Sequence, residues 1–343
     1  MIARRTEIKV SFNGSDITSD ISKYLLSMTY TDHEEDKTDD LQLTIDDREN
    51  TWLSNWLNLG SDAKGAEISA VIVQKNWDSS GRDKILDCGI FELDSIDVSG
   101  PASTISLKCT SLPYTSTVRT EKKTKAWETI SLNGIASEIA ANNGMQCMFE
   151  SSDNPFYERK EQIQTSDIVF LQGLCKDAGI SLKVTAKALV LFNELTYEQK
   201  EAVREIKMGS ADVINYSFST NYNDTAYSKC KVSYTNPSTG KTISYTYTPR
   251  NNEGTGQVLE INEKVNSREE ARQLAMKRLR QKNKSEYKAS FSLVGDLDLV
   301  AGVTVNISGW GMFDGKYIIE TATHSLTGGY KVSLTLRRVL EEY

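Results

Sequence analysis

Residues 293–339 read LVGDLDLVAGVTVNISGWGMFDGKYIIETATHSLTGGYKVSLTLRRV. Val303, Val305 and Ile307 alternate with Thr304, Asn306 and Ser308, and Val332, Leu334 and Leu336 alternate with Ser333, Thr335 and Arg337. A period of two turns one face of each run to a core and the other to water, so both are expected as half-buried strands. Gly309, Gly311, Gly315, Gly328 and Gly329 stand where the chain has to reverse, and Asp314-Gly315-Lys316-Tyr317 is expected as a turn. Taken alone, these residues describe an antiparallel β-domain with small turns and no evident chemistry.

The same period governs about 1–115. Ile8, Val10 and Phe12 alternate with Lys9 and Ser11 before an Asn13-Gly14 turn; Tyr24, Leu26, Met28 and Tyr30 are expected on one face, and Leu41, Leu43 and Ile45 on another. Regular short strands of this kind suggest a barrel or sandwich. The acidic run from Asp32 to Asp40 lies between two of them. Its carboxylates could invite calcium, but the spacing of a known calcium loop is missing, so a mobile hairpin tip or a partner surface is the expectation. Trp52 and Trp56, four apart, would share one face of a short helical segment and pack in a core or interface.

From about 116 to 205 the period shifts to about 3.6. Ile135, Ala136 and Ile139 line a helix expected from Ser131 to Asn142, with Gly144 suited to a left-handed cap. A second helix is expected from Thr165-Ser166-Asp167 to Gly179, with Phe170, Leu171, Leu174 and Cys175 as its stripe, followed by strands at 180–184 and 189–192. The remainder, about 206–343, opens with strands around 212–219 and 228–248, a turn at Asn236–Gly240 and a loop at 251–256. A helix expected at about 267–284, capped by Ser267, then leads into the closing strands.

The fold class is therefore mainly β with α+β: two β-barrel-like domains, 1–115 and 206–343, flank a small α+β domain, 116–205.

Composition narrows function by exclusion. A net charge of −7 argues against a general nucleic-acid binder. The basic clusters Arg119, Lys122, Lys123, Lys125 and Arg278, Arg280, Lys282, Lys284 are expected as solvated or partner-facing charge. Five scattered cysteines without a Cys-x-x-Cys pair, and an N-terminus that turns straight into an alternating strand, suggest reduced thiols and synthesis in the cytoplasm. No apolar run approaches the roughly 18 residues of a membrane span.

A Ser-His-Asp set needs a base near neutral pH, and only His33 and His324 exist. The first falls in the acidic run and the second on an alternating strand, where a structural hydrogen bond is the expectation. Glu92, Asp94 and Asp97 satisfy only a loose search for paired carboxylates. Neither a phosphate-binding loop, a zinc-protease motif nor a nucleophile elbow is present. The expectation is no enzyme, with no metal and no cofactor.

The motif aGvtVnisG…fDGkYiIetatHsLtgGykvsLtLrR, within 301–338, resembles the C-terminal signature of the phage late control D family, the baseplate hub proteins of contractile tails, related to the hub part of type VI secretion spikes. Two further stretches carry the resemblance. One is the pattern of 16–52 around YTDHEEDKTDDLQLTIDD. The other runs from Gly144-Met145 through Asn154-Pro155, Gln162, Phe170-Leu171-Gln172 and Leu174 to Ala178-Gly179. Only about 210–290 matches loosely.

The resemblance implies a structural hub: a homotrimer with two similar barrels per chain, joining a sixfold tail tube to a threefold central spike. Its partners would be its own copies, the tube or tube-initiator protein, the spike and other baseplate proteins, with no sequence-specific nucleic acid and no membrane insertion. The chain would be made in the host cytoplasm and deployed in a virion tail or a related particle such as an R-type bacteriocin. Gly302, Gly309, Asp314, Gly315, Tyr317, His324 and Arg337 are expected as structural signature positions. A tail-associated cell-wall hydrolase and the hub of a secretion spike are the rivals; the sequence stopping at Tyr343, directly after the signature, favours a separate hub over a fused spike.

Overall fold

The computed structural model describes residues 4–35, 37–52, 65–77, 79, 81–112, 116–250 and 256–340. The chain divides into two compact units. Unit 1 comprises Met1–Tyr197, Ser292–Gly302 and Glu320–Leu334, and unit 2 comprises Glu198–Phe291, Val303–Ile319 and Thr335–Tyr343.

In unit 1 the first strands are β1 (Arg5–Phe12), β2 (Ser15–Asp16), β3 (Leu25–His33), β4 (Asp40–Asp46), β5 (Glu67–Lys75), β6 (Lys84–Ser99) and β7 (Thr104–Thr110), with a helical turn α1 (Thr18–Ile21). They form an antiparallel sheet in the order β3-β4-β7-β6-β5-β1-β2. Asn13 and Gly14 both take positive φ, the turn that suits a right-twisted hairpin. One side chain in two points inward, so Met28, Leu41, Leu43, Ile45, Ile68, Ile72, Ile105 and Leu107 make one dry core.

Leu26 departs from its expected face. The β3–β4 register shifts between Leu25 and Ser27, and this bulge turns Leu26 outward while Met28 and Tyr30 stay buried. Trp52 is buried against Tyr24 and donates its backbone N–H to Asp47 Oδ1. Trp56 lies outside the described residues.

The rest of unit 1 begins with α2 (Thr117–Thr120) and β8 (Lys122–Ser131), which pairs with β10 (Phe156–Ser166) as a two-stranded ribbon. Helices α3 (Leu132–Asn142) and α4 (Asp167–Ala178) pack on a three-stranded sheet of β9 (Gln146–Glu150), β11 (Ser181–Val184) and β12 (Ala188–Phe192), in the order β11-β12-β9. Ser131 accepts the Gly134 N–H, and Gly179 ends α4 in the left-handed conformation, as the two caps require. Ile135, Ile139, Leu171, Leu174, Leu182, Leu189 and Leu191 fill the core between helices and sheet. A last helix, α5 (Glu194–Gln199), starts here and ends in unit 2.

Unit 2 holds β13 (Arg204–Lys207), β14 (Val213–Thr220), β15 (Tyr227–Thr235), β16 (Thr242–Tyr247), β17 (Gln257–Ile261), α6 (Arg268–Asn283) and β19 (Thr304–Ser308). Three strands, β18 (Tyr287–Val294), β20 (Gly315–Leu326) and β21 (Tyr330–Arg338), contribute residues to both units. The unit 2 sheet runs β14-β18-β21-β20, continued by β19 on β20 and a parallel β13 on β19. In unit 1, Thr321–Leu326 of β20 pair with β3.

Helix α6 lays Ala271, Ala275 and Leu279 on Cys230, Val232 and Leu259 of the small sheet β16-β15-β17. Ser267 accepts the Glu270 N–H, and Glu270 accepts the Asn266 N–H in return. The chain is thus mainly β, with its long helices α3, α4 and α6 each covering one sheet.

Candidate functional site

Histidine is the side chain whose ordinary pKa lies nearest neutrality. His324 is fully buried on β20; its Nδ1 lies 2.7 Å from the Tyr330 hydroxyl, and its ring stacks on Tyr30. Burial pushes its pKa down to about 4, so the ring is neutral at physiological pH and already engaged. His33 places Nδ1 3.2 Å from Thr321 Oγ1, and burial, then the charge of Lys37, lowers its pKa as well. In the β3–β20 ladder His33 pairs with Thr321 and Tyr30 with His324. Three positions separate the pairs, so the two imidazoles point to opposite faces and cannot share a substrate.

The carboxylates of β6 do not converge either. Asp97 is exposed and paired with Lys108 at 2.6 Å, Glu92 sits on the ladder opposite Thr110, and Asp94 falls at the irregularity between Leu93 and Ser95. Asp94 and Asp40 line one groove of about 390 Å³ with Thr29, Thr31, Gln42 and Lys108. Burial, then the charge of Asp94, raises the Asp40 pKa. Among the described residues no group of three or more His, Cys, Asp or Glu is placed to hold a metal ion, and no helix is long and apolar enough to cross a membrane.

The seven signature positions occupy three places. Around the 3-10 turn Gly311–Phe313, Asp314 Oδ1 accepts the Trp310 N–H at 2.7 Å, and the fully buried Tyr317 donates its hydroxyl to the Phe313 carbonyl at 2.9 Å. Lys316 and Tyr317 already belong to β20, so Asp314 closes the short helix and the turn is spent before Lys316. Gly309 has φ +96°, and a Cβ there would meet Met208 Cβ at 2.8 Å; at Gly315, with φ +143°, it would meet the Arg338 guanidinium at 3.1 Å. Gly309 excludes a side chain by backbone conformation and by close approach, and Gly315 disfavours one by its backbone conformation.

The second place is Arg337, buried at 1% exposure, whose Nη1 reaches Glu198 Oε1 at 2.5 Å; Arg280 Nη2 reaches the same oxygen at 2.6 Å. The third, in unit 1, holds His324 on its tyrosines, with Gly302 at φ +82° facing the Tyr197 ring.

Glu198 and Tyr330 carry no local sequence signal, and Arg280, expected as solvated or partner-facing charge, is instead drawn into the protein. The arginine side chain is only 13% exposed, drawn in by Glu198. The other basic clusters are largely paired too: Lys123 with Asp167, Lys125 with Glu138, Arg278 with Glu263 and Lys282 with Asp224.

The acidic run corrects a further expectation. Asp32, Glu34 and Asp39 are buried, not at a mobile tip: Lys183 of β11 inserts its ammonium between Asp32 and Asp39, and the Glu34 N–H bonds to the Glu320 carbonyl. A lone lysine some 150 residues away gives no local sequence signal.

No catalytic constellation has formed at these places; what they share is the fixing of turns, buried charge and strand ends. The fold has counterparts among phage tail and type VI secretion proteins. The chain superimposes along 97% of its length on 98% of a 43 kDa tail protein of prophage MuSo2 from Shewanella oneidensis, with a TM-score of 0.71 at 16% identity. It also matches an E. coli type VI secretion component described as similar to the T4 tail proteins gp27 and gp5, with a TM-score of 0.59 at 12% identity, over 93% of this chain and 75% of that one.

In sequence, the YQBQ-like family matches residues 182–337. The chain is 25% identical over 182 residues to the probable baseplate hub protein of Escherichia phage 186, a match covering 53% of this chain and 43% of that relative. The chain therefore spans less than half the length of that curated relative. The resemblance to baseplate hub proteins, first carried by the motif in 301–338, thus extends to the sequence of a probable hub protein and to the fold of phage tail and type VI secretion proteins.

Proposed function

We propose that the protein is a structural baseplate hub of a contractile tail or tail-like particle: a trimeric adaptor between a sixfold tube and a threefold spike, without enzymatic activity. The observation that carries this reading is a fold shared over nearly the whole chain with a phage tail protein, combined with sequence relatedness to a hub protein. The signature residues would then hold the strand ends of the assembling domain, Gly309, Asp314, Gly315 and Tyr317 through backbone geometry and Arg337 and His324 through buried polar contacts. The three-part division at about 115 and 205 is proposed alongside, as the arrangement that gives each chain two β domains.

Its partners would be two further copies, the tube or its initiator, the spike and other baseplate proteins, placing it finally in the virion tail. Acidic residues facing a channel would repel the phosphates of passing DNA, a reading motivated by the net charge of −7.

Native mass spectrometry tests the assembly: a species at three times 38.3 kDa is expected, and a monomer persisting when tube and spike proteins are added would overturn it. The likeness to a type VI component favours, as a second reading, the hub of a secretion spike. Co-purification with spike proteins of the two kinds of particle separates them. A zymogram on cell-wall substrate tests the hydrolase rival, with no clearing expected.

A further inference from the structure

We propose that Asp39, Asp32 and Lys183 form a proton-operated latch between the first sheet and the α+β segment of unit 1, tightened when the cluster takes up a proton. Lys183 Nζ lies 2.5 Å from Asp32 Oδ1 and 3.2 Å from Asp39 Oδ2, and it donates to the His33 carbonyl at 2.9 Å. The other oxygen of each carboxylate is also engaged: Asp32 Oδ2 accepts the Ala301 N–H, and Asp39 Oδ1 accepts the His33 N–H, each at 2.9 Å. Asp39 exchanges further bonds with Ser111, its N–H to the hydroxyl and its carbonyl from the Ser111 N–H. Four stretches of chain, near residues 32–39, 111, 183 and 301, therefore meet at one cluster.

Charge arithmetic makes the cluster sensitive to protons. Two carboxylates, each 6% exposed, share one ammonium, which leaves one excess negative charge in a desolvated place. The surroundings add little to neutralise it. On β3 stand Tyr30 and His33; the connection to β4 carries Glu34, Glu35 and Lys37; β4 begins with Asp40. On the α+β side Glu35 and Glu194 meet at the Ser181 hydroxyl, next to Lys183 on the strand. His324, neutral, stands on the same face of the β3–β20 pair as Tyr30 and Asp32, and the Asp32 charge works against the fall of its pKa.

Burial raises the Asp39 pKa to about 6; Lys183 works against the rise and Asp32 reinforces it. Burial opposes the Lys183 charge, yet Asp32 and Asp39 raise its pKa, so the ammonium stays charged throughout. A carboxyl whose folded pKa exceeds its unfolded value near 4 binds its proton more tightly in the folded chain. Stability from this group is present at acid pH and lost as pH rises through about 6. Acidification consequently firms the junction, the opposite of the usual acid release of ion pairs.

Asp39→Asn mimics the protonated latch, because the amide keeps an oxygen for the His33 N–H. The folding equilibrium constant of the variant is expected to exceed that of the wild type by on the order of a hundredfold at pH 7, with the gap closing by pH 4. Carboxyl carbon NMR of Asp39 should show a midpoint near 6. An Asn variant less stable than wild type at pH 7, or a midpoint at the ordinary aspartate value, would overturn the latch. Lys183→Met supplies a second reading: its destabilisation should be largest at neutral pH and relieved by acid, and a deficit independent of pH would count against the proposal. None of these measurements depends on trimer formation.

Discussion

His324 illustrates how one buried ring writes a pH dependence into the chain. Its pKa falls from an ordinary 6.5 to about 4 on folding, so between those values the unfolded chain binds a proton that the folded chain refuses. The contribution is complete above pH 6.5 and lost as pH falls through about 4, at most about 3 kcal/mol. Asp39 runs the other way over an overlapping range, so the two offset each other in the native protein. His324→Gln should therefore uncover the Asp39 gain in stability on acidification between pH 6.5 and 4, read from urea midpoints at fixed pH. An unchanged profile would mean that the ring takes up its proton in the folded state after all.

Strands were legible wherever one face is dry and the other wet. The alternations at Leu41–Ile45, Val303–Ile307 and Val332–Leu336 appear as β4, β19 and β21, and the capped helices fall within a residue or two of their signals. The ribbon of β8 and β10 was not legible, because most of its residues are exposed on both faces and no period is imposed. Leu26 misled for a different reason, since a bulge resets the phase of a strand without changing its composition. The candidate site divided along the same line. Glycines at positive φ carry a local signal, whereas Glu198 under Arg337 and Lys183 between two aspartates are partners set by the tertiary fold.

Gly295 belongs with the unread features: a Cβ there would meet the Tyr330 ring at 2.1 Å, beside the bond from the Gly295 N–H to the Tyr330 carbonyl. Gly295→Ala must push the ring off this path and off His324, at a cost of about 1–3 kcal/mol. Thermal unfolding checks it; an unshifted transition would show that the ring has room to move.

At the scale of the molecule, both units depend on the stretch from 292 onward. Unit 1 takes Ser292–Gly302 and Glu320–Leu334 from it, and unit 2 takes Val303–Ile319 and Thr335–Tyr343. A chain ended at Phe291 loses the β20 partner of β3 and the Ala301 N–H on Asp32 in one unit, and β19 and Arg337 in the other. Such a truncation is expected to leave no cooperative unfolding transition in either part. A sharp transition from the 1–197 portion, seen by near-ultraviolet dichroism, would show that the first sheet closes without its late strand.

The interleaving also bears on how the protein is born. Synthesis is vectorial, and domains commonly fold as they emerge, N-terminal first. Here the first sheet is exposed on the ribosome early, but the strand that pairs with β3 arrives only with Thr321–Leu326. The edge of β3 therefore waits through nearly 300 residues of translation, so the nascent chain needs either a chaperone over that edge or a late, concerted collapse once Leu334 has cleared the exit tunnel.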